Sequence, residues 1–221
     1  MEKPRRSQKV SPSWGDVKVV LIFLLSLGLF CGAGWAFLNK GLYLLPEKMC
    51  EGVLERDMVK QVLPRARSAD SGSGDQGAGY DLIFSCHVTT SNDSILSGRA
   101  LVQPISREKW REYYRGSGER NQIIRVSVGD MEALAQIGSG AGTSSVYIPC
   151  TPPGAPPHSA SQPYAVVGET WVHGEAKPSG APLRQSLTDI AYRLTEHAYK
   201  LAECKAPRVW PKELPRYEER G

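Results

Sequence analysis

Apolar and polar positions are patterned along this chain in three ways, and each pattern predicts a different element. From Val19 to Leu38 the sequence VVLIFLLSLGLFCGAGWAFL runs about twenty residues without a charge, which matches the roughly 30 Å hydrocarbon core of a bilayer at 1.5 Å rise per residue. Because a helix satisfies its own backbone hydrogen bonds, it can cross lipid that offers no partners, so a transmembrane helix is expected over residues 17–38. A period of two follows: Leu82, Phe84, Cys86 and Val88 share one face of a strand within Tyr80–Val88. Further strands are predicted over Ile95–Val102, Gln122–Val128, a segment carrying Val146, Ile148 and Cys150, and Tyr164–His173.

Helical spacing appears three times after the long apolar run. Leu54, Met58, Val59 and Val62 predict a short helix near Cys50 that Pro64 stops, and SREKWREYYR predicts another, capped by Ser106. The longest carries Leu183, Leu187, Ile190, Ala191, Leu194, Ala198, Leu201 and Ala202 as one apolar stripe ending at Cys204, and must pack on the sheet. Three segments lack either period. ADSGSGDQGAG from Ala69 to Gly79 is too small and polar to bury surface and reads as a flexible loop, CTPPGAPPHSASQPY is broken by prolines, and APRVWPKELPRYEERG should fray. The predicted organisation is a basic cytoplasmic tail (1–16), a transmembrane helix (17–38), a connector (39–49), an extracellular α+β domain with a mainly antiparallel sheet (50–205) and a flexible tail (206–221).

Charge sharpens the topology. Much of the formal excess of +4 lies in Lys3, Arg5, Arg6, Lys9 and Lys18 against Glu2 and Asp16. Basic flanks resist translocation, which puts the N-terminus in the cytoplasm and the remainder outside, with the lipid bilayer as a partner. Nucleic acid is excluded as a partner class, since its phosphates call for a basic patch within the folded part. A cleaved secretory signal fits less well because its apolar region is shorter, and Cys31, preceded by Leu29 and Phe30, lacks the small residue a lipoprotein site needs. Trp14, Trp35 and Tyr43 are candidate interfacial anchors, and Gly28 with Gly32 forms a G-x-x-x-G.

Cys50, Cys86, Cys150 and Cys204 remain for the exported part, enough for two disulfides with three connectivities open. Cys50 at the start of a helix and Cys86 in a strand, with Cys150 ending a strand and Cys204 ending a helix, favour Cys50–Cys86 and Cys150–Cys204. Zinc would need closely paired ligands, and these are not paired, so neither metal nor cofactor is expected. Gly72, Gly74 and Gly77 match G-x-G-x-x-G in the wrong context, because the dinucleotide fingerprint follows a strand and opens a helix; the run from Gly138 to Gly142 lacks the central serine of a nucleophile elbow. His87, His173 and His197 are the candidate bases, and Asp57, Asp81, Asp130 and Glu169 the candidate carboxylates. No spacing assembles them into a catalytic set, and His197 beside Leu194, Leu201 and Cys204 reads as a satisfied histidine at the core edge. Asn92-Asp93-Ser94 matches a glycosylation sequon.

The opening CEGVL at Cys50 with Leu63-Pro64 after it, the strand ending FSC at Cys86, the strand ending IPC at Cys150 and the amphipathic helix closing on Cys204 together resemble membrane-anchored, exported proteins of unknown function from streptomycetes and related actinobacteria. The resemblance covers most of residues 17–205. It implies a location at the surface of a Gram-positive envelope and supplies no activity. The expected function is therefore a membrane-anchored extracellular binding or structural module whose partner is an envelope protein or glycan, the alternative being an envelope hydrolase or transferase. A transmembrane sensor is disfavoured, since some eighteen cytoplasmic residues are too few for an output domain.

Overall fold

A computed structural model describes residues 14–38, 41–116, 122–137, 142–156, 162–205 and 208–217. Backbone contacts divide the chain into two units, Met1–Asn39 and Lys40–Gly221. The first contains helix α1 (Trp14–Leu38), whose described apolar side chains, Leu24 and Phe30 among them, are exposed. Among the described residues no helix is long and apolar enough to cross a membrane. This corrects the transmembrane helix expected over 17–38. With it go the single-pass topology, the cytoplasmic and extracellular assignments, the lipid bilayer as partner and the membrane-anchored envelope role. The basic residues before Trp14 lie outside the described residues. Tyr43, read as an interfacial anchor, instead lies under the Lys60 ammonium, 4.3 Å from its ring centroid.

The second unit is α+β, as the alternation and the stripe predict. Helix α2 (Gly41–Leu44) and a small hairpin of β1 (Lys48–Met49) and β2 (Leu54–Glu55) lead into α3 (Arg56–Val62). Residues 41–49 of the connector expected over 39–49 belong to the folded unit: Leu42, Leu45 and Met49 are buried. Cys50 occupies the hairpin turn and does not open a helix.

Seven antiparallel strands follow in the spatial order β3-β4-β5-β9-β8-β7-β6: β3 (Ala69–Gln76), β4 (Ile83–Thr90), β5 (Ile95–Pro104), β6 (Gln122–Val128), β7 (Met131–Ile137), β8 (Thr143–Pro149) and β9 (Tyr164–His173). Strand β3 corrects the predicted loop. Each of its eight residues pairs with β4 from Ala69–Thr90 to Gln76–Ile83, so the ladder supplies the order that its own side chains do not. Gly72 belongs to this arrangement, because a Cβ there would meet the His87 ring at 2.5 Å.

One face of the sheet carries α5 (Gly180–Leu201). Phe84, Val88, Leu96, Ala100, Val102, Val146, Ile148, Val166 and Val172 point toward Leu187, Ile190, Ala191, Leu194 and Ala198, and each fully buried aliphatic side chain contributes about 1.5–3 kcal/mol. Leu201, assigned to the stripe, is instead exposed. Two glycines bring helix and sheet close together. A Cβ on Gly168 would overlap Thr195 Oγ1 and sit 2.8 Å from the Ala191 carbonyl, and one on Gly98 would overlap Leu194. Thr170 Oγ1 donates to Leu187 O at 2.7 Å across the same contact.

The tail expected to fray over 206–221 is held against α5 within its described part. Trp210 packs on Tyr192 and Tyr199, Tyr192 OH donates to Pro211 O at 2.8 Å, Leu214 is buried, and the Tyr217 and Thr188 hydroxyls lie 2.9 Å apart. Arg208 pairs with Asp130. Two disulfides complete the frame, Cys50–Cys86 and Cys150–Cys204; the first ties the hairpin turn to β4, the second the end of β8 to the residues after α5.

Candidate functional site

The face of the sheet opposite α5 is covered over only part of its width. Helix α4 (Arg107–Gly116) begins after Ser106, whose Oγ accepts the Lys109 amide at 3.2 Å as the predicted cap. Trp110 and Tyr114, one turn apart, bury against Leu134, Tyr147, Ala165 and Val167 on β7, β8 and β9. Trp110 Nε1 donates to Ser145 Oγ at 3.0 Å. Arg111 forks onto Glu132, donating from Nε to Oε1 at 2.7 Å and from Nη2 to Oε2, and Glu132 is 2% exposed. These paired charge-assisted bonds stand in for the water that so buried a carboxylate has lost.

Beyond α4 the outer faces of β3, β4, β5 and part of β9 carry no covering element among the described residues. The strand register sets their side chains in rows about 7 Å apart. His87, Ser97 and Trp171 form one row, Ser85, Arg99 and Glu169 the next, and Ile83, Leu101 and Val167 the third. Arg99 donates from Nε at 3.0 Å and from Nη2 at 2.8 Å, both to Glu169 Oε2. The Arg99 guanidinium also lies 5.9 Å from the Trp171 ring centroid. Trp171 Nε1 donates to His173 Nε2 at 2.8 Å, with the two rings nearly perpendicular. The aromatic ring is thus held from two sides, which lowers the entropy lost when it meets a partner. Where α4 ends and the open face begins there is a cleft of about 110 Å³. Trp110, Tyr113, Leu101 and Val167 line it together with the Arg99–Glu169 pair. Tyr113 is 66% exposed at the lip.

A second concavity lies elsewhere, between the hairpin turn at Cys50 and α5, with a volume of about 310 Å³. His197 lines it, with Nε2 3.6 Å from Glu51 Oε2 and its ring packed edge-on to Phe84 at 4.7 Å. Nε2 is buried, and among the described residues its polar neighbour is the Glu51 carboxylate, just beyond hydrogen-bond distance.

The three histidines considered as bases are therefore distributed over two sites. His87 lies over Gly72 and His173 against Trp171 on the open face, whereas His197 faces the second concavity. Glu169 lines the cleft. Asp57 pairs with Lys60, Asp81 accepts the Ala78 amide at 2.8 Å, and Asp130 pairs with Arg208. Among the described residues no hydroxyl or thiol side chain lines the concavity beside His197 and Glu51. No group of three or more ligating side chains able to hold a metal occurs among the described residues. Tyr113 and Trp171, which carry the open face, were not singled out from the sequence. The available signal was Tyr113, an aromatic beside the Trp110–Tyr114 stripe of an otherwise charged helix.

Comparisons with family models, with curated proteins and with solved structures find no match to this chain.

Proposed function

We propose that the unit formed by residues 40–221 is a recognition domain that docks a protein segment on the open half of its sheet, with one side chain of that segment seated in the cleft beside α4. The observation that supports this most directly is the grouping of Tyr113, Trp110 and Trp171 around the Arg99–Glu169 pair. Aromatic and arginine side chains are the residues that most often dominate protein interfaces, and they do so where a partner group fills a pocket at the centre. A space of about 110 Å³ suits a single side chain, and an apolar lining beside an ion pair suits one with an apolar stem and a polar tip. Two disulfides fit a domain that works where thiols are not kept reduced.

The test is peptide selection on the immobilised full-length chain from a random phage-displayed library. The expected result is a consensus with one tyrosine, lysine or arginine anchor, bound at least tenfold more weakly by Tyr113→Ala and by Arg99→Ala. A consensus whose binding neither substitution changes, or the absence of any consensus, would refute this reading.

A further inference from the structure

Trp171 is the largest side chain in the three rows of the open face, and its orientation depends on a histidine. The alternation of a strand sets Trp171 and His173 on the same side of β9, while Val172 between them is buried on the α5 side. An indole nitrogen can only donate a hydrogen bond. Trp171 Nε1 lies 2.8 Å from His173 Nε2, so that imidazole nitrogen is the acceptor, and His173 is neutral with its proton on Nδ1. A proton taken up at Nε2 would face the indole N–H, and the contact must then open. The rings stand at 84° with centroids 6.4 Å apart, so no stacking replaces the bond once it is lost.

The surroundings leave His173 free to take up that proton. It is exposed, whereas Trp171 is half-buried. Opposite His173, β5 offers Ile95; opposite Trp171 stand Ser97 on β5 and Thr143 on β8, none of them charged. Of the titratable and charged groups nearby, β5 presents Arg99, paired with Glu169 of β9 itself. Strand β4 presents His87 in the row of Ser97 and Trp171. The β4–β5 turn, which packs on Gly174, carries Asp93, and Glu175 follows His173 along the chain. The Arg99 guanidinium, 5.9 Å from the Trp171 ring centroid, has only donors and cannot take over the accepting role.

We infer that His173 is a positioning residue for the open face: its neutral form holds Trp171 in place for a partner, and its protonation frees the ring and weakens docking. The inference rests on the docking role proposed above. Imidazole is the side chain whose charge ordinarily changes between about pH 5 and pH 8, so docking is favoured at the upper end of that interval and released at the lower.

The experiment is an NMR titration of the isotopically labelled full-length chain across the same interval. It follows the Trp171 indole N–H signal, assigned by its loss in Trp171→Phe, and the ring nitrogens of His173. The expected result is His173 with its proton on Nδ1 at the upper end, and an indole proton that moves upfield with the midpoint of the His173 ring. His173→Gln, which keeps an acceptor at every pH, should hold the indole signal flat at its high-pH position; His173→Ala should hold it flat at the acid position. His87→Asn should leave the coupled titration in place. An indole signal that stays still while His173 titrates, a proton on Nε2 at the upper end, or a His173→Gln variant that titrates as wild type does overturns the inference. For docking, the peptide pool selected on the wild-type chain at the upper end should bind about fivefold more weakly at the lower, the factor one neutral hydrogen bond is worth, and should bind His173→Gln equally at both. Equal acid loss from wild type and His173→Gln overturns the gating of docking. The absence of any selected peptide refutes the docking reading alone, and the indole titration still decides whether His173 positions Trp171.

Discussion

Replacing Gly168 by alanine probes the closest approach in the fold. The added Cβ would overlap Thr195 Oγ1 and stand 2.8 Å from Ala191 O. The first clash can be relieved by turning the threonine, at the cost of its 2.6 Å hydrogen bond to Ala191 O, worth about 1 kcal/mol net. The second involves helix backbone, so α5 must rise by a few tenths of an ångström from a core that includes Leu187, Leu194 and Val166. Overpacking of this kind costs about 1–3 kcal/mol. Stiffening of the unfolded chain by alanine returns about 0.4–1 kcal/mol. The expected net loss is about 1–3 kcal/mol, read as a lower midpoint at unchanged slope in urea unfolding followed by tryptophan fluorescence. In a Thr195→Ala background the same substitution should cost about 1 kcal/mol less, because only the carbonyl clash remains. If Gly168→Ala unfolds at the wild-type midpoint and shows no coupling to Thr195, then α5 is not seated on the backbone of β9 and the packing argument fails.

Two further outcomes follow from the charges. Arg111→Ala leaves Glu132 buried beside Arg107, whose Nε is 3.8 Å from it, and should destabilise by about 3 kcal/mol; Arg111→Met with Glu132→Leu should recover most of that loss in the same urea assay, and a double variant no better than the single one would contradict the assignment. The Arg208 guanidinium holds the Asp130 carboxyl below its ordinary value. A depressed carboxyl stabilises the fold above the unfolded-state value near 3.9 and loses that contribution as pH falls through the folded value. Asp130 is 52% exposed, so screening limits the effect to about 1 kcal/mol or less. Asp130→Asn should therefore be less stable than wild type at neutral pH, the gap closing at strongly acid pH; a gap that persists in acid would attribute it to packing.

Several elements can be read in the sequence because their side chains announce their surroundings. Phe84, Cys86 and Val88 alternate on β4, the α5 stripe from Leu183 to Ala198 keeps its period, Ser106 caps α4, and the favoured cysteine pairs form. Strand β3 is not legible, since ADSGSGDQ has no apolar alternation and takes its conformation from β4 and from the room Gly72 leaves for His87. Strand β7 is equally hidden, because MEALAQI consists largely of residues with good helix propensity and its pairing on both sides overrides them. The tail conceals Leu214 and Tyr217 among prolines and charges, so their burial against α5 depends on the tertiary fold alone. For α1 the apolar composition is plain from sequence, whereas among the described residues no helix is long and apolar enough to cross a membrane. The sites follow the same rule. His197 meets Glu51, and Arg99 meets Glu169 and Trp171, through strand register and a disulfide-fixed turn that no local spacing encodes.

The two disulfides close loops that do not overlap, 50–86 and 150–204. A single proteolytic nick inside either loop leaves one covalent molecule, so on an unreduced gel it changes nothing. A nick between α4 and β6 yields two fragments, each keeping its own cross-link. What then joins them includes the seam at which every residue of Ile95–Pro104 is registered against His173–Tyr164, α5 lying across β5, and α4 packed on β7, β8 and β9. The chain is in this sense divisible, and the two fragments, expressed separately, are natural candidates for reassembly by complementation.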